Sequence, residues 1–163
     1  MSSEPLTRKL KAMNPRIITA LPDVSLFGGL ILILLINRFI PLLVVGGLGV
    51  WFIGALLVLF SLVAGFSVLF SLRRRGTTTS AGEMPEKLVT GGAFRFSRNP
   101  YYLASASLLL GVALLAGSLL GLLVPALYVF TINRVVVPFE EQLLEQVFGG
   151  EFEEYRSSVN RWL

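Results

Sequence analysis

The chain has no cysteine and no histidine among its 163 residues. The first absence excludes a disulfide framework, a thiol nucleophile and any thiolate metal site. The second removes the usual general base near neutral pH and the commonest metal ligand, so no metal site is expected. Charge is scarce as well. Asp, Glu, Lys and Arg make up 15% of the chain, against about 25% in ordinary soluble domains. Any chemistry must therefore use Arg, Glu, Asp, Tyr, Asn, backbone groups or a bound cofactor. What the chain does have is apolar side chain: 54% of its residues are hydrophobic and its mean hydropathy is +0.75. That composition reads as one small membrane domain spanning residues 1–163.

The net charge is +4, and its placement says more than its size. Between Val24 and Leu72 the only charge is Arg38, and between Tyr101 and Phe139 it is Arg134. The basic residues gather at Arg8, Lys9, Lys11 and Arg16, at Arg73, Arg74 and Arg75, and at Lys87, Arg95 and Arg98. Basic clusters that flank apolar spans orient a protein in a membrane. Nucleic acid is not expected as a partner.

A helix needs roughly 20 apolar residues to cross the hydrocarbon core. Four such spans are expected, in an all-α integral membrane protein. A basic segment, 1–20, precedes them and contains Pro5 and Pro15 but no early apolar core, so no cleavable signal is expected. The first hairpin occupies 21–72, with spans at about Leu21 to Asn37 and Gly47 to Leu72. The second span carries Gly47, Gly49, Gly54 and Gly65, which suits close helix contact in lipid. A polar loop covers 73–100. The second hairpin occupies 101–138, with spans at about Tyr101 to Ala116 and Leu119 to Pro138, joined by a tight turn at Gly117-Ser118. The segment 139–163 reads as juxtamembrane helices. Pro138 is expected to open the first of these, with Glu140 and Glu141 in its first turn, where the helix dipole favours acids. Gly149-Gly150 ends it, and an amphipathic helix from Glu151 to Trp162 is expected to anchor at the interface through Trp162. The positive-inside rule puts both termini and the loop 73–100 in the cytoplasm.

Two segments carry polar residues that packing does not require. Arg98-Asn99-Pro100-x-Tyr102 sits at a span entrance. Arg, Pro and Tyr are ordinary there, but a helix N-terminus beside an arginine fork also suits a carboxylate or phosphate. Glu140 and Glu141 project about 100° apart on a helix, so one is expected to turn back toward the loop and meet Arg95 or Arg98, or an ammonium group of a ligand. Arg134 lies in an apolar run. It either snorkels to the interface or faces a cavity as a catalytic or acceptor-binding group.

The motifs appear in the order Gly76-Thr77-Thr78, then Leu88-Val89-Thr90-x-Gly92-x-Phe94-Arg95-x-Ser97-Arg98-Asn99-Pro100-x-Tyr102. Glu140-Glu141-x-x-Leu144 follows, then Phe148-Gly149-x-x-Phe152-x-x-Tyr155-x-x-x-Val159-x-Arg161-Trp162. This order resembles the isoprenylcysteine carboxyl methyltransferase family, with the phospholipid N-methyltransferases as close relatives. The resemblance covers roughly residues 70 to 163. It implies an integral membrane methyltransferase without a Rossmann domain, using S-adenosylmethionine in a cytosol-facing pocket. By the same resemblance Leu88, Val89, Gly92, Phe94, Asn99, Pro100, Tyr102, Glu140 and Glu141 bind the cofactor. Arg98 and Tyr102 of the same element, with Arg134 from its place in the apolar run, are the catalytic candidates. The acceptor would be lipophilic, entering sideways from the bilayer of a prokaryotic plasma membrane. Isoprenylcysteine-like carboxyl O-methylation leads, with phospholipid or amine N-methylation and a non-catalytic membrane subunit as alternatives. The chain departs from the family at three positions. Asn99 replaces a histidine, Val136 falls where the family's substrate arginine aligns, and Phe152 replaces a tyrosine. Arg134, two residues before Val136, is the nearest base for an anionic acceptor. The oligomeric state is left open.

Overall fold

The computed structural model describes residues 15–40, 46–76 and 85–163. Every regular element among them is helical. Helix α1 spans Pro15–Phe39 and α2 spans Leu48–Arg74. A short 3-10 turn at Gly92–Arg95 leads into α3, Pro100–Leu115. A second 3-10 turn, Leu120–Leu122, opens a rod made of α4 (Leu123–Thr131), a π-helical segment (Ile132–Val136) and α5 (Val137–Phe148). Helix α6, Gly150–Ser158, follows. The expected segment 1–14 and the loop residues 77–84, including Thr77 and Thr78, lie outside the described residues, as do 41–45.

Three helical stretches are long and apolar enough to cross a membrane: Ile17–Phe39, Leu48–Arg74 and Leu120–Phe148. The expected third span is α3, and its 16 residues reach only about 24 Å, short of a hydrocarbon core of about 30 Å. The rod Leu120–Phe148 has 29 residues, about 43 Å of helix. Its far end must therefore project past the core, and that end carries Glu140 and Glu141.

Several boundaries differ from the sequence expectation. Helix α1 starts at Pro15, six residues before Leu21, and runs straight through Pro22. Pro138 does not open a separate helix, so Glu140 and Glu141 sit within a continuous rod and not at a free helix N-terminus. The π turn explains how proline is tolerated there. A proline ring clashes with the carbonyl four residues back, here that of Arg134, and the wider π turn opens the backbone at that point. At the C-terminus the amphipathic helix stops at Ser158, and Val159 is extended. Trp162 is therefore not on a helix face. Its indole packs against the core and donates to Asn133.

The core is built from α1, α3 and the rod. Leu26 and Ile33 of α1 meet Leu109 and Ala113 of α3, and Val124, Tyr128, Ile132 and Val136 of the rod. The turn after α3 is tight because Gly117 takes a left-handed φ of 67°, which glycine reaches without steric cost. Helix α2 packs almost wholly on α3, while α1 and α2 make hardly any contact with each other. The outer faces of both expose large apolar side chains, among them Ile31, Leu34, Trp51, Phe52 and Phe66, as lipid requires.

The α2–α3 crossing is held at backbone distance. A Cβ on Gly111 would stand 2.8 Å from the Gly54 carbonyl oxygen and 3.0 Å from the Val58 backbone nitrogen. Of the glycines expected to mediate contact, Gly54 does so, while Gly47 and Gly49 face open space. Gly65 has room, its Cβ falling 3.9 Å from Ala104. Gly111→Ala is expected to cost about 1–3 kcal/mol through overpacking, and Gly65→Ala very little. Thermal unfolding in detergent checks both, and equal effects would contradict the crossing.

Candidate active site

The polar loop is shaped from its own sequence first. Gly92 holds a φ of 68°, which starts the 3-10 turn. Pro100 occupies the first turn of α3, where its missing N–H costs nothing. Between them, Ser97, Arg98 and Asn99 are tied to the end of the chain. Ser97 Oγ and Asn99 Nδ2 both donate to the Arg161 carbonyl, at 3.2 and 2.9 Å, and the Arg98 amide donates to Asn160 O at 3.0 Å. Residues 159–163 thus form a strap across the loop.

Arg98 is a crosslink in its own right. One terminal nitrogen donates to the carbonyls of Arg156 (2.9 Å) and Val159 (2.6 Å), at the C-terminal end of α6. Cations stabilise helix C-termini, whose last carbonyls lack intrahelical partners. The other terminal nitrogen donates to Glu141 Oε1 at 2.9 Å. Glu141 also accepts from Arg161 Nε at 3.1 Å and from a second Arg161 nitrogen through its other oxygen. Arg161 reaches on to Asn133 Oδ1 at 3.3 Å, which Trp162 shares at 3.2 Å. Both oxygens of Glu141 are consequently committed to guanidinium groups.

Glu140 is arranged differently. Its Oε1 accepts from the Tyr102 hydroxyl at 2.8 Å, and among the described residues it forms no ion pair. Tyr155, on α6, donates to the Phe94 carbonyl at 2.6 Å. Burial, partly offset by Arg98, pushes its phenol up to about 12, so it stays a neutral donor.

These residues enclose a cavity of about 410 Å³, within the range of about 300–1,000 Å³ common for ligand sites. Of the residues singled out from sequence, Leu88, Val89, Phe94, Arg98, Asn99, Pro100, Tyr102, Glu140 and Glu141 line it. Gly92 shapes the loop without lining the cavity. Arg134 is exposed, and its guanidinium lies 5.2 Å from the ring centroid of Phe130, also exposed. It is apart from the cavity, on the snorkelling side of the two readings. Arg95 likewise turns outward over Phe96, at 4.6 Å, and meets neither glutamate. Sequence reasoning gave no role to Asp23, Asn133 or Arg161. Arg161 lay within the quoted motif, but nothing local announces that an extended tail folds back 20 residues to Glu141.

The pairing makes a stability prediction. Glu141→Ala strands Arg98, whose side chain is only 11% exposed, and is expected to cost about 3–5 kcal/mol. Arg161 is 35% exposed, so Arg161→Ala is expected to cost only about 1 kcal/mol. Unfolding in detergent separates the two; equal losses would deny Glu141 its central place.

The family described as phospholipid methyltransferase matches residues 50–151, more than half of the chain. An uncharacterized protein of Haemophilus influenzae is 36% identical over 62 residues, which is 38% of this chain and 98% of that protein. No solved structure matches. The matched residues include α2, the polar loop, α3 and the whole rod, and so both glutamates, Arg98 and Tyr102; the chain belongs to the phospholipid methyltransferase family of membrane proteins.

Proposed function

We propose that this chain transfers a methyl group from S-adenosylmethionine to a lipophilic acceptor at the cytosolic membrane face. The observation that carries this reading is the cavity itself. It joins the loop 88–102 to Glu140, far apart in sequence and both inside the family match.

The donor set suits the cofactor's three kinds of group. Glu140 is half-buried with acceptor capacity beyond its single bond to Tyr102, which fits an ammonium or a ribose diol. Arg98 Nε is a buried donor with no partner among the described residues, and such a group calls for an acceptor; a carboxylate supplies one. Leu69, Leu72, Leu88 and Val89 give an apolar wall suited to a flat base. Glu141 is not available as a ligand group, because its two guanidinium partners occupy it. S-Adenosylmethionine, when bound, supplies a methyl group on a positively charged sulfur that becomes neutral once the methyl has left.

The chain's own contribution is alignment and exclusion of water, which carry most of the rate for such a transfer. A carboxylate acceptor needs no base. An amine acceptor must first lose a proton, and Glu140 is the carboxylate with room to take it. The positive-inside pattern around Arg73–Arg75, Lys87 and Arg98 supports a cytosolic cavity, with both termini on that side. The carboxylate-acceptor reading had leaned on Arg134, whose position over Phe130 leaves it no part in the cavity.

Calorimetry of S-adenosylmethionine binding on detergent-purified protein tests the proposal. Wild type is expected to bind, and Glu140→Ala to bind about 10–100-fold more weakly, the usual loss for a hydrogen bond to a charged group. Arg134→Ala is expected to match wild type in cofactor affinity and acceptor KM. No binding by wild type would turn the reading toward a non-catalytic membrane subunit.

A further inference from the structure

The inference concerns the side of the cavity that the cofactor groups leave over, and it rests on the methyl-transfer reading above. Five charged side chains line the cavity among the described residues: Asp23, Lys87, Arg98, Glu140 and Glu141. Arg98 and Glu141 are paired with each other, and Glu141 with Arg161. Glu140 holds Tyr102 and faces the cofactor's expected place. Lys87 stands on the loop side, two residues after Pro85. Asp23 remains, and it is set apart from the others.

Asp23 belongs to α1, outside the matched residues 50–151. It is the only charge from Ile17 to Asn37. Its side chain is exposed on the cavity wall, with no hydrogen bond or ion pair among the described residues. Tyr101, at the start of α3, lies within its electrostatic reach and lines the same wall. An acidic residue within an apolar span often marks a ligand or transport path.

Its position adds a second argument. Val68 of α2 lines the same cavity. Since α1 and α2 hardly touch, the cavity lies between two helices that do not close on each other. An amphiphile could lie with its chain between these helices and its polar end beside Asp23. Arg134 lies over Phe130, away from the cavity, and offers no group to an anionic end there.

We propose that Asp23 is the acceptor subsite and sets the sign of its ligand: it receives the cationic end of a membrane amphiphile lodged between α1 and α2. The acceptor is thereby selected by a positively charged group next to its reacting atom, and an anionic amphiphile is excluded by repulsion. Tyr101 forms the rim on which that cation also rests, through its ring face.

Binding of radiolabelled dodecyltrimethylammonium to the full chain in neutral detergent tests this, with no turnover required. Wild type is expected to bind it, and Asp23→Asn to bind at least about tenfold more weakly, as for a lost charged contact. Asp23→Glu, which keeps the charge, is expected to retain binding. Dodecanoate and tetramethylammonium are expected to compete poorly, the first for its sign and the second for its missing chain. Unchanged affinity in Asp23→Asn, or equal competition by dodecanoate, overturns the subsite. Equal competition by tetramethylammonium overturns the lipid part, leaving a site for soluble cations. Calorimetry of S-adenosylmethionine on the same samples separates the two readings. Cofactor binding with Asp23-independent cation binding removes the subsite alone, whereas Asp23-dependent cation binding without cofactor binding removes methyl transfer alone. If Asp23→Asn also loses the cofactor, Asp23→Glu decides: retained cation binding supports the subsite and its loss overturns it.

Discussion

One carboxylate between two guanidinium groups holds the polar end of this molecule together. Glu141 projects from the end of the rod and takes Arg98 from the loop and Arg161 from the C-terminal strap. Three segments distant in sequence thereby meet at one residue. A carboxylate so placed is costly to desolvate and is repaid only when its lone pairs are filled, and here they are. Arg98 extends the arrangement by closing the carbonyl end of α6. The centre adds to the hydrogen bonds by which Ser97, Arg98 and Asn99 already hold the strap.

That commitment leaves the neighbouring acid free. Glu140 and Glu141 are adjacent on one helix, yet their partners divide their roles. Glu141 is paired with arginines; among the described residues Glu140 is met only by the phenol of Tyr102. The division follows from the helix turn of about 100° per residue, which points the first at the cavity and the second at the strap. The π turn before them matters for the same reason. It lets the rod pass Pro138 unbroken and carries both acids beyond the apolar core on a rigid element.

The apolar part of the fold does two separate jobs. The α2–α3 crossing is made rigid by Gly54 and Gly111, whose backbones touch. The gap between α1 and α2 is left unpacked. A membrane protein can tolerate such a gap because lipid fills it. Both helices line the cavity, α1 through Asp23 and α2 through Val68.

Composition and pattern alone fixed much of this. The lack of Cys and His, the apolar spans and the flanking arginines determined an all-α membrane protein, because hydrophobic length and charge placement are read by the bilayer directly. The family resemblance, not composition, named the nine residues that line the cavity. Tertiary structure decided the rest. Which glutamate is neutralised depends on where Arg161 returns, and a tail of five residues has no periodicity to reveal it. Trp162 looked like an interfacial anchor by its spacing, but the helix ends at Ser158 and the indole turns inward to Asn133. Arg134 was ambiguous because a charge in an apolar run can face either lipid edge or cavity; its guanidinium lies over the exposed ring of Phe130. Asp23 had no signal in the sequence, and the packing of α1 on α3 brings it to the cavity wall.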